Sequence, residues 1–383
     1  MNPDTMKLAQ QSEQDLDILI KEGHFPEAEV ALRQTLSQGT GPIATWKMLA
    51  HVLWHQKKFE EARDIRLMLL KNVPGDLPLR FDIAESCLML GDFDRGWREY
   101  RHRYGLPHTK KIERRVQLPR WNGQRIEGQT LLIHDEQGHG DTFQFMRLLP
   151  LAKERSGAII VFEVSPEVLP LAQRMPGIDI ITQPGMLPPP GQYHCELMSL
   201  PMALGLTFSD LPVSTSYLTP DTLKLEKWQQ RLAALPHPLV ALVWGGRPTP
   251  YPDRSMSLEQ LAPLGDAKAT FLSIQKGPHA EQAKNPPEGL SVINLDEEIK
   301  DFDDTAAILC VADLLISIDS APLHLGGALG RPAWGMLMHV ADWRWFPDRD
   351  DSPWYPSLRL FRQTKRKVWT DVVERVRAAL QSL

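Results

Sequence analysis

The N-terminal part of the chain repeats one pattern of apolar positions. Phe25, Phe59 and Phe93 recur at one constant step along the sequence. The same step separates three small residues, Ala28, Ala62 and Gly96. A step of about 34 positions is typical of paired antiparallel helices that stack into a short solenoid with a concave face. We therefore expect residues 1–108 to form a helical repeat domain. We expect this domain either to bind a polypeptide or a second copy of the chain on its concave face, or only to support the domain that follows.

After residue 129, short apolar runs alternate with helical patterns. The runs 130–134, 158–164 and 178–181 have the length and composition of buried strands. A glycine-containing turn at 138–141 precedes a helical pattern over 143–154, and a second helical pattern begins at Pro166. This alternation predicts a parallel sheet. The residues that follow, 183–192, are rich in proline and glycine and predict a loop.

A second strand-and-helix series occupies the rest of the chain. Its predicted strands are 238–244, 270–274, 291–295, 314–318 and, as the last one, 332–337. Helical patterns cover 224–235, 304–311, the segment after 314–318 up to Leu329, and the amphipathic end of the chain, 368–383. Two such halves, 109–222 and 223–383, predict two doubly wound domains, which bind ligands at the carboxyl ends of their strands.

Composition narrows the class of protein. The net charge of -5 argues against a general nucleic-acid binder, and we interpret the basic stretch from Lys110 to Arg125 as a solvated linker. The three cysteines lie far apart, without disulfide or metal-ligand spacing, which favours free thiols in a reducing compartment. The segment from Met1 to Gln14 lacks a signal-peptide pattern, and the longest apolar stretch, 306–318, is broken by Asp313 and too short to cross a bilayer. We expect a cytoplasmic protein without a membrane span.

Several stretches together carry a family resemblance. They are Gly140-Asp141 with Pro150 downstream, 318–325, 328–332, 342–345 and 351–356. In these residues the chain resembles a GT-B glycosyltransferase, and it is similar to bacterial heptosyltransferases and to tetratricopeptide-fused, O-GlcNAc-transferase-like enzymes. The resemblance implies an α + α/β fold class, with an N-terminal tetratricopeptide solenoid followed by a GT-B body of two Rossmann-like domains. The first of these, 109–222, would face the acceptor. The second, 223–383, would hold the nucleotide sugar, and a closing C-terminal helix would pack back on the first.

The same resemblance suggests a general base. Asp141 matches the Gly-Asp of the heptosyltransferase pattern, and a carboxylate there could take the proton of an acceptor hydroxyl. Asp141 could equally cap the helix expected to begin near Phe143. Glu136 and His139 are further candidates for a catalytic role, since a histidine titrates near neutral pH.

A nucleoside diphosphate leaving group needs cations and N–H donors. Ser320, Ala321 and His324 stand at the start of a predicted helix, where the dipole and the free N–H groups favour a phosphate. Lys276 could reach the same phosphates, and Asp304 could meet the ribose or, with Asp303, cap a helix. The full set of candidate donor-binding residues is Gly140, Trp244, Arg247, Arg254, Gln275, Lys276, Asp304, Thr305, Asp319, Ser320, Ala321 and His324. Two loop tryptophans, Trp343 and Trp345, either stack on the sugar or base or serve packing.

The expected activity is an inverting, metal-independent transfer of a hexosyl or heptosyl group to a protein acceptor, for instance a bacterial flagellar or surface protein. No cofactor is expected, because the nucleotide sugar is a substrate. The Asp-x-Asp stretches at 301–303 and 348–350 do not lie at strand ends, so we expect no metal. The repeats would help to dock the acceptor or form a homodimer, and no nucleic acid is expected as a partner.

Three alternatives stay open. A nicotinamide-dependent enzyme would use Gly138, Gly140 and Glu163, but Phe143 stands where its motif needs a small residue. A repeat adaptor could carry a decayed, non-catalytic GT-B body. A transferase of the same kind could act on a lipopolysaccharide core instead of a protein.

Overall fold

The computed structural model describes residues 15–37, 39, 41–106, 116–211, 216–249 and 251–382. They fall into two compact units. One comprises the chain up to Lys110 together with Asp342–Pro347, and the other comprises Lys111–Ala341 and Asp348–Leu383. The polar amino terminus, the core of the basic stretch and the expected boundary at 108 lie outside the described residues.

The N-terminal region is helical and keeps the step of the sequence repeat. After a helical segment at 15–22, the chain forms α1 (Phe25–Ser37), α2 (Ile43–His55), α3 (Phe59–Asn72), α4 (Leu77–Met89) and α5 (Phe93–Tyr100). The three repeat phenylalanines are the first residues of α1, α3 and α5. The helical character of this region is confirmed, while its assignment to the tetratricopeptide class stays a prediction.

Local chemistry explains these helix limits. Asp76 caps α4 by accepting a hydrogen bond from the backbone N–H of Leu79. Asp92 caps α5 in the same way. The small residue of the third repeat permits close helix contact, since a Cβ added to Gly96 would stand 2.7 Å from Leu88 Cδ2. This contact gives a physical reason for the small residue at that position of the third repeat.

A short segment far along the chain completes the helical unit. Trp343 packs edge-on against Trp97 and Tyr100, with ring centroids 5.3 and 6.1 Å apart. Phe346 stacks on the third repeat phenylalanine, Phe93, at 6.2 Å. Of the two functions considered for the loop tryptophans, the structure shows packing for Trp343.

The first half of the α/β unit is built on a four-stranded parallel sheet. Its strands, β1 (Thr130–His134), β2 (Ile159–Glu163), β3 (Ile180–Thr182) and β4 (Tyr193–Glu196), follow the order β3-β2-β1-β4. Its helices are α6 (His139–Met146), α7 (Leu149–Ser156), α8 (Leu169–Ala172) and α9 (Leu200–Leu204).

The structure differs from the sequence analysis of this half at three points. The sequence did not indicate β4, and it predicted one helix over 143–154 where the structure has α6 and α7. Pro150 sits at the start of α7, where a proline is tolerated but could not continue a preceding helix. Because α6 begins at His139, the residues expected to form a turn, 138–141, are an N-cap glycine and the first helical turn.

The second half has a six-stranded parallel sheet. It contains β5 (Leu239–Val243), β6 (Thr270–Ser273), β7 (Val292–Asn294), β8 (Leu314–Ile318), β9 (Ala333–Leu337) and β10 (Leu358–Arg362), in the order β10-β9-β8-β5-β6-β7. The helices are α10 (Thr222–Leu232), α11 (Phe302–Val311), α12 (Ala321–Ala328) and α13 (Thr370–Leu380). The strand order is that of a Rossmann domain. The sequence analysis predicted 332–337 as the last strand, and the structure corrects this because β10 follows it.

The C-terminal helix packs on the second half. Val372, Val376 and Leu380 of α13 belong to one apolar core with Leu261 and with residues of the six-stranded sheet. We expected this helix to pack back on the first half, and the structure corrects that expectation. Among the described residues, no helix combines the length and apolarity that a membrane span requires.

Candidate functional site

Three loops at the carboxyl ends of strands define the candidate site. In an open parallel sheet, ligands bind where the strand order reverses direction. That reversal lies between β1 and β4 in the first sheet and between β5 and β8 in the second. The loops that follow β1, β5 and β8 carry most of the residues that the sequence singled out.

The N-termini of α6 and α12 meet at a glycine. A Cβ added to Gly140 would stand 2.8 Å from Cδ2 of His324 and 3.4 Å from Cα of Ala321. Each helix is eight residues long and directs its free N–H groups toward its start. Their dipoles therefore place two positive ends close together, which favours an anion.

Arg247 adds a cation near this junction. Its Nη2 lies 3.5 Å from the point where a Cβ of Gly138 would stand, and Asp141 Oδ2 lies 3.2 Å from the same point. Arg247 is exposed, in the loop after β5. Arg254 lies beside it and donates from Nη2 to the carbonyl of Arg247 at 3.0 Å. The structure thus brings Gly140, Arg247, Ala321 and His324 together.

Asp141 stabilises the start of α6. Its Oδ2 accepts a hydrogen bond of 2.9 Å from the backbone N–H of Gly138. It does so from the third position of the helix, as the acidic member of a capping box does. Asp141 therefore does stabilise a helix N-terminus, which was one of its two expected functions. It does so from the first turn of a helix that begins at His139, and not as the residue preceding a helix that begins near Phe143. Its carboxylate stays partly accessible.

The two other candidates for catalysis have distinct surroundings. The ring centroids of His139 and Phe302 lie 5.1 Å apart, and Nε2 of His139 lies 3.8 Å from Oε2 of Glu167. Burial, aided by the charge of Arg247, lowers the pKa of His139, which favours its neutral form. Glu136 is buried and accepts from the backbone N–H of Met198 at 3.1 Å. Glu136 thus serves as a support for the loop after β1.

His324 is held from two sides. Its Nδ1 lies 3.0 Å from the hydroxyl oxygen of Tyr355, and its Nε2 lies 3.8 Å from Asp319 Oδ1. The side chain is buried. Ser320 is the N-cap residue of α12, and its hydroxyl lies 3.0 Å from that of Ser317. The orientation of the imidazole is therefore set by the protein.

Sequence reasoning missed Arg147, which connects the two halves beneath this site. This buried guanidinium donates to the carbonyl of Trp354 at 2.7 Å and to the hydroxyl of Tyr217 at 2.9 Å. It also lies over the ring of Tyr355, 4.7 Å from the centroid. Arg147 directly follows α6, so it links that helix to the aromatic residue that orients His324. A single arginine in an apolar stretch gave no signal of this contact.

Other predicted donor-binding residues make contacts with residues of neighbouring loops. Gln275 accepts from the backbone N–H groups of Trp244 and Gly245, at 3.0 and 2.8 Å. Trp244 is fully buried and donates to Gln282 at 3.1 Å. The Lys276 amine lies 2.6 Å from a carboxylate oxygen of Asp296.

Asp304 and Thr305 contribute to the packing of α11. The N-cap residue is Asp301, which accepts from the backbone N–H groups of Asp303 and Asp304, so the expectation that Asp303 and Asp304 form the cap is corrected. Asp304 is buried and accepts from Trp228 Nε1 at 2.9 Å. The hydroxyl of Thr305 lies 3.4 Å from the carbonyl of Asp301. The contacts of both residues are thus internal to the second half.

Comparison by sequence finds one curated relative. The chain is 28% identical over 344 residues to the protein FlbA of Caulobacter vibrioides, a match that covers 80% of this chain and 56% of FlbA. The chain therefore spans about half the length of that relative. No protein-family model matches the chain.

Comparison by structure finds glycosyltransferases. ADP-heptose lipopolysaccharide heptosyltransferase II of E. coli is 14% identical, with a TM-score of 0.50 over 66% of this chain and 99% of that enzyme. A glycosyltransferase of family 9 from Veillonella parvula is 11% identical, with a TM-score of 0.48 over 63% of this chain and 88% of that protein. The chain thus shares the fold of heptosyltransferase II, an α/β fold with parallel sheets that is consistent with a GT-B glycosyltransferase.

Proposed function

We propose that the chain is an enzyme, a glycosyltransferase that uses a nucleotide-sugar donor. The observation that carries the proposal is the meeting of two helix N-termini at Gly140, Ala321 and His324, with Arg247 beside them. A diphosphate is the anion that such an arrangement of N–H groups and cations suits. The junction lies at the reversal of strand order in the second sheet, between β5 and β8. The shared fold with heptosyltransferase II supports the same proposal.

In the proposed reaction, the acceptor hydroxyl oxygen attacks the anomeric carbon of the donor sugar. The bond between that carbon and the diphosphate oxygen breaks, and the nucleoside diphosphate leaves with the electron pair. Asp141 takes the proton of the hydroxyl, as a single base would in an inverting transfer. The N-terminus of α12, with Ser320 and His324, and the guanidinium of Arg247 stabilise the charge on the leaving group. This mechanism requires no metal.

Lys276 already has a partner of opposite charge. Its amine is held by Asp296, so it could bind a phosphate only after leaving that carboxylate. We keep it as a candidate that the experiment below tests separately. The remaining donor residues, Arg254, Asp319 and Ser320, lie beside groups already assigned to the diphosphate.

The donor and acceptor are proposed by class. The fold relative is named for ADP-heptose, which makes an adenosine diphosphate sugar of the heptosyl or hexosyl type the first donor to test. We propose a protein acceptor because a helical repeat region accompanies the transferase body. The proposed functional division is 1–108 for acceptor docking or dimerisation, 109–222 for the acceptor side and 223–383 for the donor. A cytoplasmic location would suit a nucleotide-sugar substrate.

Thermal-shift measurements with ADP, UDP, GDP, CMP and NAD test the donor site, since a ligand that binds only the folded state raises the melting temperature. We expect one nucleoside diphosphate to raise it, and His324→Gln and Arg247→Met to reduce the effect. His237→Ala is the matched control, because His237 is exposed and pairs with Asp313 away from the site. Retention of the shift in Lys276→Met would remove Lys276 from the donor site. No shift with any nucleotide would overturn the proposal in favour of the adaptor, and a shift with NAD alone would favour a nicotinamide enzyme.

A transfer assay tests the chemistry. We expect labelled sugar from the selected donor to appear in polypeptide when a lysate of the source cell is supplied. Asp141→Asn should abolish transfer and keep the thermal shift, because an asparagine oxygen can still accept from Gly138. Label found only in lipid-linked saccharide would replace the protein acceptor by a lipopolysaccharide core. Full activity in Asp141→Asn would remove Asp141 as the base.

A further inference from the structure

A group of buried polar side chains lies at the carboxyl end of the first sheet, outside the proposed donor site. His134 ends β1 and Glu196 ends β4, and the two residues are register partners in the parallel pair. His194 precedes Glu196 by two positions, so it lies on the same face of β4. All three side chains are buried. Two imidazoles and a carboxylate therefore share one face of the sheet where its strand order reverses.

These side chains are close enough to share a ligand. Each offers one nitrogen or oxygen atom such that the three atoms lie within 4.8 Å of one another. The two imidazole rings are nearly parallel, with centroids 5.9 Å apart and planes at 9°. Atoms bound to one tetrahedral zinc ion are about 3.4 Å apart. Binding one ion would therefore require the three side chains to rotate toward one another.

Neighbouring groups orient two of the three residues. The Nδ1 atom of His134 lies 3.3 Å from the backbone carbonyl of Asp135. An imidazole that donates there carries its lone pair on Nε2, as in the outer shell of many metal-bound histidines. Arg120 donates to Glu196 from both Nε, at 2.9 Å, and Nη2, and both bonds go to Oε1. Coordination through Oε2 would leave the Arg120 contact in place.

We propose that His134, His194 and Glu196 form a binding site for a divalent transition metal, with zinc as the best fit. Two imidazoles and one carboxylate are a ligand set that zinc accepts, whereas magnesium and calcium prefer oxygen ligands alone. The ion would join the carboxyl ends of β1 and β4. Residues 135–138 follow directly and lead into α6, so the ion would position the loop before Asp141. It would be a positioning site and take no part in the bond-breaking step.

This site could not be found from the sequence. Its second strand, β4, has the sequence Tyr-His-Cys-Glu, which lacks the apolar run expected of a buried strand. Alternation along β4 directs Cys195, between the two candidate ligands, to the opposite face. His134 is distant from both of them in the sequence, and only the pairing of β4 with β1 brings it beside them.

Metal analysis of the untagged full chain tests the proposal directly. After purification with zinc in the medium, mass spectrometry should find about one zinc per chain. Cobalt added to the metal-free protein should give the visible absorption of a four- or five-coordinate site. His194→Ala and Glu196→Gln should lose both signals, and His237→Ala should keep them. These signals are independent of sugar transfer, so the metal site and the proposed function can fail separately.

Stability supplies a second readout. A chelator should lower the melting temperature of the wild-type chain, and zinc should restore it, because metal bound to the folded state stabilises that state. In His194→Ala neither addition should change the melting temperature. A wild-type chain that contains no zinc and binds no cobalt at micromolar concentration would overturn the proposal. Undiminished zinc in both ligand variants would overturn it as well.

Discussion

The imidazole of His324 fills the space that Gly140 leaves open. A Cβ at position 140 would approach Cδ2 of His324 to 2.8 Å, closer than two such carbons approach in real proteins. The glycine is therefore required by contact between two helices and not by a left-handed turn. The two residues lie in the first turns of helices that follow strands of different sheets. Their contact therefore sets the distance between the N-termini of α6 and α12.

Gly140→Ala should separate the two helix starts. We expect a loss of stability of about 1–3 kcal/mol from overpacking and a weaker thermal shift with the nucleoside diphosphate. Gly75→Ala is the matched control, because a Cβ there meets nothing within 4 Å, and it should unfold at or slightly above the wild-type temperature. Equal behaviour of the two variants in denaturant unfolding and nucleotide binding would contradict the close contact.

Tyr355→Phe tests the orientation of His324 together with the contacts that the same hydroxyl makes with Arg147 and Tyr217. The ring of Tyr355 fills the space beside Gly327, and phenylalanine would keep that packing. The change removes the hydroxyl that lies 3.0 Å from Nδ1 of His324. We expect a cost of about 1 kcal/mol in stability and a rise in the donor KM, with the acceptor KM unchanged. An unchanged donor KM would show that this hydrogen bond does not prepare the site.

Asp304→Asn tests a structural against a ligand-binding function. Burial by itself would raise the pKa of Asp304, but hydrogen bonds from Trp228 and the Lys300 backbone, with the charge of Lys224, lower it overall. The ionised carboxylate therefore stabilises the folded chain above its unfolded pKa, and this stabilisation is lost as the pH falls through the lower folded pKa. An asparagine amide cannot accept both hydrogen bonds, so we expect destabilisation of roughly 2 kcal/mol at neutral pH.

The nucleotide shift of the same variant decides between the two functions. If Asp304 is structural, Asp304→Asn should unfold at a lower temperature and still be stabilised by the nucleotide to the wild-type extent. Normal stability with a lost nucleotide shift would return Asp304 to the donor site.

Glu85 should make the helical unit less stable at alkaline pH. Burial, with the nearby carboxylates of Asp342 and Asp82, raises the pKa of Glu85 to about 8. Because the folded chain holds a proton that the unfolded chain releases near the ordinary glutamate pKa of 4.5, this stabilisation is complete in acid and is lost as the pH rises to about 8. Glu85→Gln should remove this pH dependence of stability, because glutamine does not titrate.

Urea unfolding followed by tryptophan fluorescence across this pH range measures the effect. Glu60→Gln, at an exposed position of α3, is the control and should keep the wild-type slope. A wild-type slope in Glu85→Gln would show that Glu85 is already ionised in the folded chain at neutral pH.

The sequence predicted best where periodicity and burial agree. Phe25, Phe59 and Phe93 indicated where α1, α3 and α5 begin, because a phenylalanine opens each of these helices and is buried there. The strands around Ile133 and Ile316 were predictable because central parallel strands are apolar on both faces. The sequence did not predict the contact between Gly140 and α12. The family resemblance indicated only that both segments lie at a cleft.

What the sequence missed depends on neighbours that are distant along the chain. The strand β4 lacks an apolar run because two of its side chains, His194 and Glu196, are polar and share the face of His134. Arg147 interrupts an apolar stretch because it donates to the hydroxyl of Tyr217 in its own half and to the carbonyl of Trp354 in the other half. The sequence also did not predict the contacts of Lys276 with Asp296 and of Asp304 with Trp228. Periodicity carries no information about such pairings.

The segment Asp342–Pro347 makes the helical unit discontinuous in sequence. Removing the chain up to Lys110 would not excise a module, because it would leave Trp343 and Phe346 without Trp97, Tyr100 and Phe93. A truncated body would carry this aromatic segment into solvent, as an aggregation-prone patch in the midst of its own chain. A natural or engineered replacement of the repeats therefore has to replace Asp342–Pro347 as well.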